Sequence, residues 1–124
     1  MREIKFRAWN KQKKEMMKVS SISLENKEIA VKDFGTYHFF RIKDIELMQY
    51  IGLKDKNGKE IYEGDIVVLN NIENDNMCIV RYEHSSYRLE GWSLREDLSN
   101  VEGRFLEVVG NIYENKNLLE ENNW

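Results

Sequence analysis

At 124 residues, 41% hydrophobic and 33% charged, the chain is too apolar for disorder and too charged for a membrane protein, and it has single-domain size, 1–124, for which one core suffices. The net charge of −3 hides opposite ends, because residues 1–18 hold seven Lys or Arg against two Glu while residues 107–124 hold four Glu against one Lys. A lone Cys78 excludes an intrachain disulfide framework, no proline marks a linker, and the aliphatic run Ile66–Leu69 is far short of a bilayer span of about 20 residues.

The start Met1-Arg2-Glu3-Ile4-Lys5 leads into no apolar signal core, so a reducing, cytoplasmic setting without a membrane is expected. Ile4 to Trp9 alternates strictly, with Ile4, Phe6 and Ala8 on one face and Lys5, Arg7 and Trp9 on the other, the period of a half-buried strand. The polar run Asn10–Glu15 turns the chain into Met16–Leu24, a partner strand completing an N-terminal hairpin. Asn26-Lys27 reads as a turn, Glu28–Lys32 as a short strand, and Asp33-Phe34-Gly35 as a break before Tyr37–Ile42, where His38, Phe40 and Ile42 share a face. Asp44–Met48 is read as strand, although Asp44 could also cap a helix.

Asn57-Gly58 is the sharpest local signal, since this dipeptide tolerates the positive φ angles of a two-residue type I′ turn and should pair Leu53–Lys56 with Lys59–Tyr62. Glu63-Gly64-Asp65 forms a second tight turn into a buried strand, Ile66–Leu69, followed by the turn residues Asn70, Asn71, Asn74, Asp75 and Asn76. Met77–Tyr82, Tyr87–Trp92 and Arg104–Val109 are further short strands, the spacing of a small barrel or sandwich. Leu118 and Leu119 can support one helical turn in the tail Glu114–Trp124.

Three blocks in this series carry a family resemblance: Ile4–Asn10, then Gln49–Val67 with its Asp55-Lys56-Asn57-Gly58 and Tyr62-Glu63-Gly64-Asp65, then Glu107–Asn115 with its Val109-Gly110-Asn111-Ile112. In that order they resemble the YopX family of bacteriophage and prophage proteins. The resemblance implies a phage or prophage gene and an all-β, mainly antiparallel fold: a small SH3-like barrel with an additional N-terminal β-hairpin and little helix. It implies no catalytic residues. Residues 20–45 and 70–104 lie between the blocks and match nothing in them.

Cys78, His38 and His84 are not in paired metal-ligand spacing, and aligning Gly58 to a calcium loop puts Leu53 and Gly64 where carboxylates are required, so no metal is expected. No glycine pattern suits a phosphate loop or a dinucleotide cofactor. Cys78 sits in an apolar strand and reads as core, and His84-Ser85-Ser86 as a loop without an acidic partner. Glu60, Glu63 and Asp65 are the densest carboxylate group, the basis of an alternative reading as a hydrolytic or nucleic-acid-processing enzyme; Asp65 more readily accepts backbone N–H bonds in its turn. Asn57, Gly58, Gly64 and Asp65 are thus assigned to turns.

The outward face of the first strand combines Lys5, Arg7 and Trp9 with Lys11, Lys13 and Lys14, cations for phosphates beside an indole that can stack a base. The bland alternative is that the stems of Lys5 and Arg7 simply pack along Trp9. The leading expectation is a non-enzymatic binding module that contacts a protein or a nucleic acid through this face and the 70–104 segment. A structural or self-assembling phage protein is the further alternative.

Overall fold

A computed structural model describes residues 3–70, 75–83, 85–91, 95–97 and 101–121. The described strands are β1 (Phe6–Asn10), β2 (Glu15–Lys18), β3 (Ser21–Ser23), β4 (Glu28–Asp33), β5 (Thr36–Arg41), β6 (Ile45–Lys54), β7 (Glu60–Tyr62), β8 (Asp65–Asn70), β9 (Asp75–Glu83), β10 (Ser86–Gly91), β11 (Arg95–Asp97) and β12 (Leu106–Asn111). One α-helix, α1 (Lys116–Glu121), stands among the described residues, together with single 3-10 turns at Ile42–Asp44 and Gly103–Phe105. All the recorded strand pairs are antiparallel, so the protein is of the all-β class.

The chain divides into two compact units, Glu3–Gln49 and Tyr50 onward, and β6 contributes to both. Where one core would serve a chain of this length, the described apolar residues form two clusters.

In the first unit, β1 pairs with β2 on one side and with the first half of β6 on the other. Ala8, opposite Met17 and Leu47, lies on the buried face, and β3, β4 and β5 form a separate three-stranded sheet whose Ile29 packs with Ala8, Met17 and Ile45. The expected single strand Met16–Leu24 is therefore two strands. The chain changes partner at Val19 and Ser20, whose N–H groups donate to Phe6 O (3.2 Å) and to Ala30 O (2.8 Å), so β2 belongs to one sheet and β3 to the other. Ile4 is also outside the strand and 69% exposed.

In the second unit, the order β11-β10-β9-β8-β12 makes a five-stranded sheet, a meander of β8 to β11 with β12 added beside β8, around Ile51, Ile61, Val67, Cys78, Val80, Leu89 and Leu106. The β6–β7 hairpin is tied to β12 at its turn, where Lys56 N–H donates to Leu106 O (2.9 Å), and the sheet curls into a half-barrel. Gly103 faces the same hairpin so closely that a Cβ there would overlap the Lys54 carbonyl oxygen.

The Asn57-Gly58 hairpin exists with a different loop. Lys54 pairs with Glu60, Asp55 and Lys59 share a backbone bond, and Gly58 N–H donates back to Asp55 O (3.0 Å), which leaves a three-residue loop with only Gly58 at positive φ (80°). This is a type I turn with a glycine bulge. The reason is Asp55, whose Oδ1 accepts from both Asn57 and Lys59 N–H (2.9 Å each) and so favours right-handed turn geometry before the glycine. The pairing of β6 with β7 also shifts register between Tyr50 and Lys54.

Asp75 and Asn76, read from sequence as turn residues, instead begin β9 opposite Asn70 and Leu69. The sequence reading did not anticipate β11 (Arg95–Asp97). Asn71, Asn74, His84 and Trp92 lie outside the described residues, so the readings placed on them stop there.

Candidate binding surfaces and buried turn anchors

Among the described residues, four polar side chains are buried: Asn10, Asp55, Asp65 and Asn111. Each is committed to backbone. Asn10 Oδ1 accepts from Gln12 and Lys13 N–H (3.1 Å each) at the β1–β2 turn, and Asp65 Oδ2 accepts from Tyr62 N–H (2.8 Å) where β8 begins. Asn111 Oδ1 accepts from Tyr113 (3.0 Å) and Glu114 (2.8 Å) as the chain leaves β12.

Asp55 does most. Beyond its two turn bonds, Oδ2 accepts from Val108 N–H (3.0 Å), which joins the central hairpin to β12 across 53 residues of sequence. Burial by itself would raise its pKa, but three backbone N–H donors and the charge of Lys59 outweigh that and hold the carboxyl below its ordinary 3.8. A strained or raised carboxyl would suit acid–base work; a saturated, acidic one suits a staple. Sequence reasoning passed over Asp55, although an Asp two residues before Asn-Gly is itself an Asx-turn signal.

Glu60 and Glu63 are half-buried, with Tyr62 Oη 3.4 Å from Glu60 Oε1, while Asp65 faces the turn. No group of three or more metal-ligating side chains occurs among the described residues. Cys78 is fully buried in the apolar cluster, and desolvation pushes its thiol up to about 11. This is the environment of a core thiol.

The first-strand face is divided. Lys5, Arg7 and Trp9 are each half-buried, whereas Lys11, Lys13 and Lys14 are exposed at the following turn. Arg7 stands between Lys18 and the buried Met48, and Trp9 between Met16 and Glu46. Lys5 pairs with Glu3 (3.2 Å) and Lys11 with Glu46 (3.1 Å). Lys13 instead lines a groove with Lys18 and Lys32, together with Glu15, Asp33, Met17, Val31 and Phe40.

Two exposed aromatic surfaces were missed. In the described part of segment 70–104, the exposed Tyr82 meets the half-buried Tyr87 edge to face at 5.1 Å, while Arg81 and Glu90 pair (3.3 Å) on the other face of the same two strands. On β5, Tyr37 and Phe39 are 52% and 64% exposed, because the alternate residue Phe40 packs against the first unit's core with Ile29 and Val31. Charge follows the division into units: residues 1–49 hold eleven Lys or Arg against seven Asp or Glu, a net +4, and residues 50–124 hold eight against fifteen, a net −7.

No helix among the described residues is long and apolar enough to cross a membrane. Residues 5–120 match the family described as YopX protein. The fold is similar to the crystal structure of protein EF1440 from Enterococcus faecalis, at 30% identity and a TM-score of 0.67, with 96% of this chain and 99% of that one covered. It is also similar to the crystal structure of protein yopX from Bacillus subtilis, at 20% identity and a TM-score of 0.65, again over 96% of this chain and 99% of that one. At that lower identity the likeness is one of fold. None of the curated proteins matches.

Proposed function

The chain belongs to the YopX family, and we propose that it is a non-enzymatic binding module of phage or prophage origin, cytoplasmic in its host, that takes a nucleic acid on its basic first unit. The second unit is read as a small SH3-like barrel. The observation that carries the proposal is a groove lined by Lys13, Lys18 and Lys32 against Glu15 and Asp33, in a unit of net charge +4. Cations gathered in a concavity release counterions when a phosphate backbone enters, and a low-dielectric floor such as Met17 and Phe40 strengthens the field they produce. The non-enzymatic reading is supported by the buried carboxylates, since Asp55 and Asp65 already hold backbone N–H groups.

The test is binding of fluorescently labelled DNA and RNA, single-stranded and duplex, to the full chain over a salt series. The expected result is an affinity that falls steeply with salt, and a K13E/K18E variant that binds about tenfold more weakly with a shallower slope. No binding to any of these probes at low salt refutes the proposal.

A second reading has its own observation. β3 and β5 end the three-stranded sheet, and an open strand edge can add a strand from a protein partner or a second copy. Light scattering on the purified chain separates the two: a concentration-dependent dimer favours the second reading.

A further inference from the structure

On the basis that the first unit binds nucleic acid, we infer that the outer face of the β4–β5 hairpin is a stacking platform for unpaired bases, which makes the ligand a single strand. The register puts Lys32 opposite Tyr37, Ala30 opposite Phe39 and Glu28 opposite Arg41, so these six side chains share one face. The other face carries Ile29, Val31 and Phe40 into the core; of the first set Ala30 is buried and Glu28 half-buried, while Lys32, Tyr37, Phe39 and Arg41 are exposed. Tyr37 and Phe39 thus stay open on a strand whose opposite face carries the half-buried Phe40 and the exposed Thr36 and His38. Soluble proteins seldom leave two adjacent aromatic rings this exposed without a use for them.

The cations make the choice of partner. Lys32 Nζ lies 5.7 Å from the Tyr37 ring centroid, and Arg41 follows Phe39 by two residues on the same face, so both rings are bracketed by positive charge. An apolar protein surface gains nothing from these charges. A nucleic acid strand uses both parts, its phosphates near Lys32 and Arg41 and its bases on the rings. Lys32 also lines the lysine groove, so its charge serves the platform and the groove alike.

Spacing then selects single strands. Alternate residues of a strand are separated by about 6.8 Å, twice the rise of 3.3 to 3.4 Å per residue. Bases within a duplex strand repeat every 3.4 Å or so, half that interval. Two successive bases can each cover a ring only if they are unstacked from one another, which a duplex forbids. Glu28 opposes the arrangement, because it sits across from Arg41 and offsets its charge.

The experiment measures anisotropy of labelled single-stranded and duplex oligonucleotides of mixed sequence with the full chain and four variants. Tyr37→Ala and Phe39→Ala are expected to weaken single-strand binding by about fivefold or more each, as loss of a base–aromatic stack does, and to leave duplex binding unchanged. Phe39→Trp is expected to retain affinity, and Glu28→Gln to raise it, which no structural role for the exposed Phe39 or the half-buried Glu28 would produce. Circular dichroism of each variant confirms the fold.

Equal binding of duplex and single strand, or alanine variants that bind like the parent while K13E/K18E does not, overturns the platform and leaves the groove standing. A parent chain that binds no nucleic acid defeats both. Loss of a dimer in Phe39→Ala, without any effect on oligonucleotides, assigns the face to a second copy and overturns the inference.

Discussion

Replacing Asp55 should destabilise the protein far more than a turn residue beside Asn-Gly ordinarily would. In Asp55→Ala three backbone donors lose their acceptor. Asn57 and Lys59 lie in an exposed turn where water can replace the carboxylate, so each contributes about 0.5 kcal/mol. Val108 N–H is different, because its acceptor is a side chain only 6% exposed, and a donor left unsatisfied there costs about 1–3 kcal/mol. The sum is about 3 kcal/mol, or roughly 10 °C in melting temperature for a domain of this size. Asp55→Asn keeps one oxygen for the turn but turns an N–H towards Val108 or the turn donors, so about 2 kcal/mol should be lost. The pH dependence supplies an independent check. A carboxyl whose folded pKa lies below its unfolded 3.8 contributes stability that is complete above that value and is lost as pH falls through the folded pKa. Urea denaturation from neutral pH down to about pH 2.5 should therefore show the gap between the parent and Asp55→Asn narrowing only below the unfolded pKa. A gap that stays constant with pH, or an Asp55→Ala cost under about 1 kcal/mol, would refute the account of Asp55 as a charged staple.

Three other expectations follow from the same geometry. Asn111→Ala should cost about 1–2 kcal/mol in thermal melts, because Tyr113 and Glu114 N–H lose their common acceptor. Gly103→Ala should cost at least about 2 kcal/mol, since the new Cβ meets the Lys54 backbone carbonyl and no rotamer change relieves it; a stability like that of the parent would show that the two segments can separate. Cys78 should resist a thiol reagent at mildly alkaline pH until urea unfolds the chain, given a thiol pushed up to about 11 by burial, and fast labelling of the native protein would contradict that burial.

How far the fold was legible depends on whether the deciding contact is local. Alternation over Phe6–Trp9, the buried run Ile66–Leu69 and the hairpin around Asn57-Gly58 are set by neighbours in sequence, and all three appear. The loop of that hairpin was misread because a side chain outside the dipeptide, Asp55, decides its backbone conformation. The split of Met16–Leu24 was hidden for a stronger reason, since the partners that separate β2 from β3 are Phe6 and Ala30, distant from Val19 and Ser20 in sequence. The platform on β5 was half legible. Tyr37–Ile42 shows two alternating faces, but which one is buried depends on Ile29 and Val31 of the facing strand.

The location of the buried polar residues bears on what the family resemblance can say about function. Asn10 closes the first of the three resembling blocks, Asp55 and Asp65 lie in the second, and Asn111 lies in the third, where Asn115 Oδ1 also accepts from Asn111 N–H (3.1 Å). Each caps a turn, and Asp55 joins the second block to the third through Val108. These four residues of the blocks thus serve to close turns with buried oxygens. Tyr37, Phe39 and Lys32, by contrast, lie in the interval between blocks, on strands whose inward residues alone are needed for the core. On the proposal that Tyr37 and Phe39 bind a ligand, binding and turn closure fall on different residues. Members with the same turn anchors need not share a ligand, and an exchange of residues 32–41 between two of them should transfer binding preference while leaving stability nearly unchanged, provided the inward-facing apolar positions are kept.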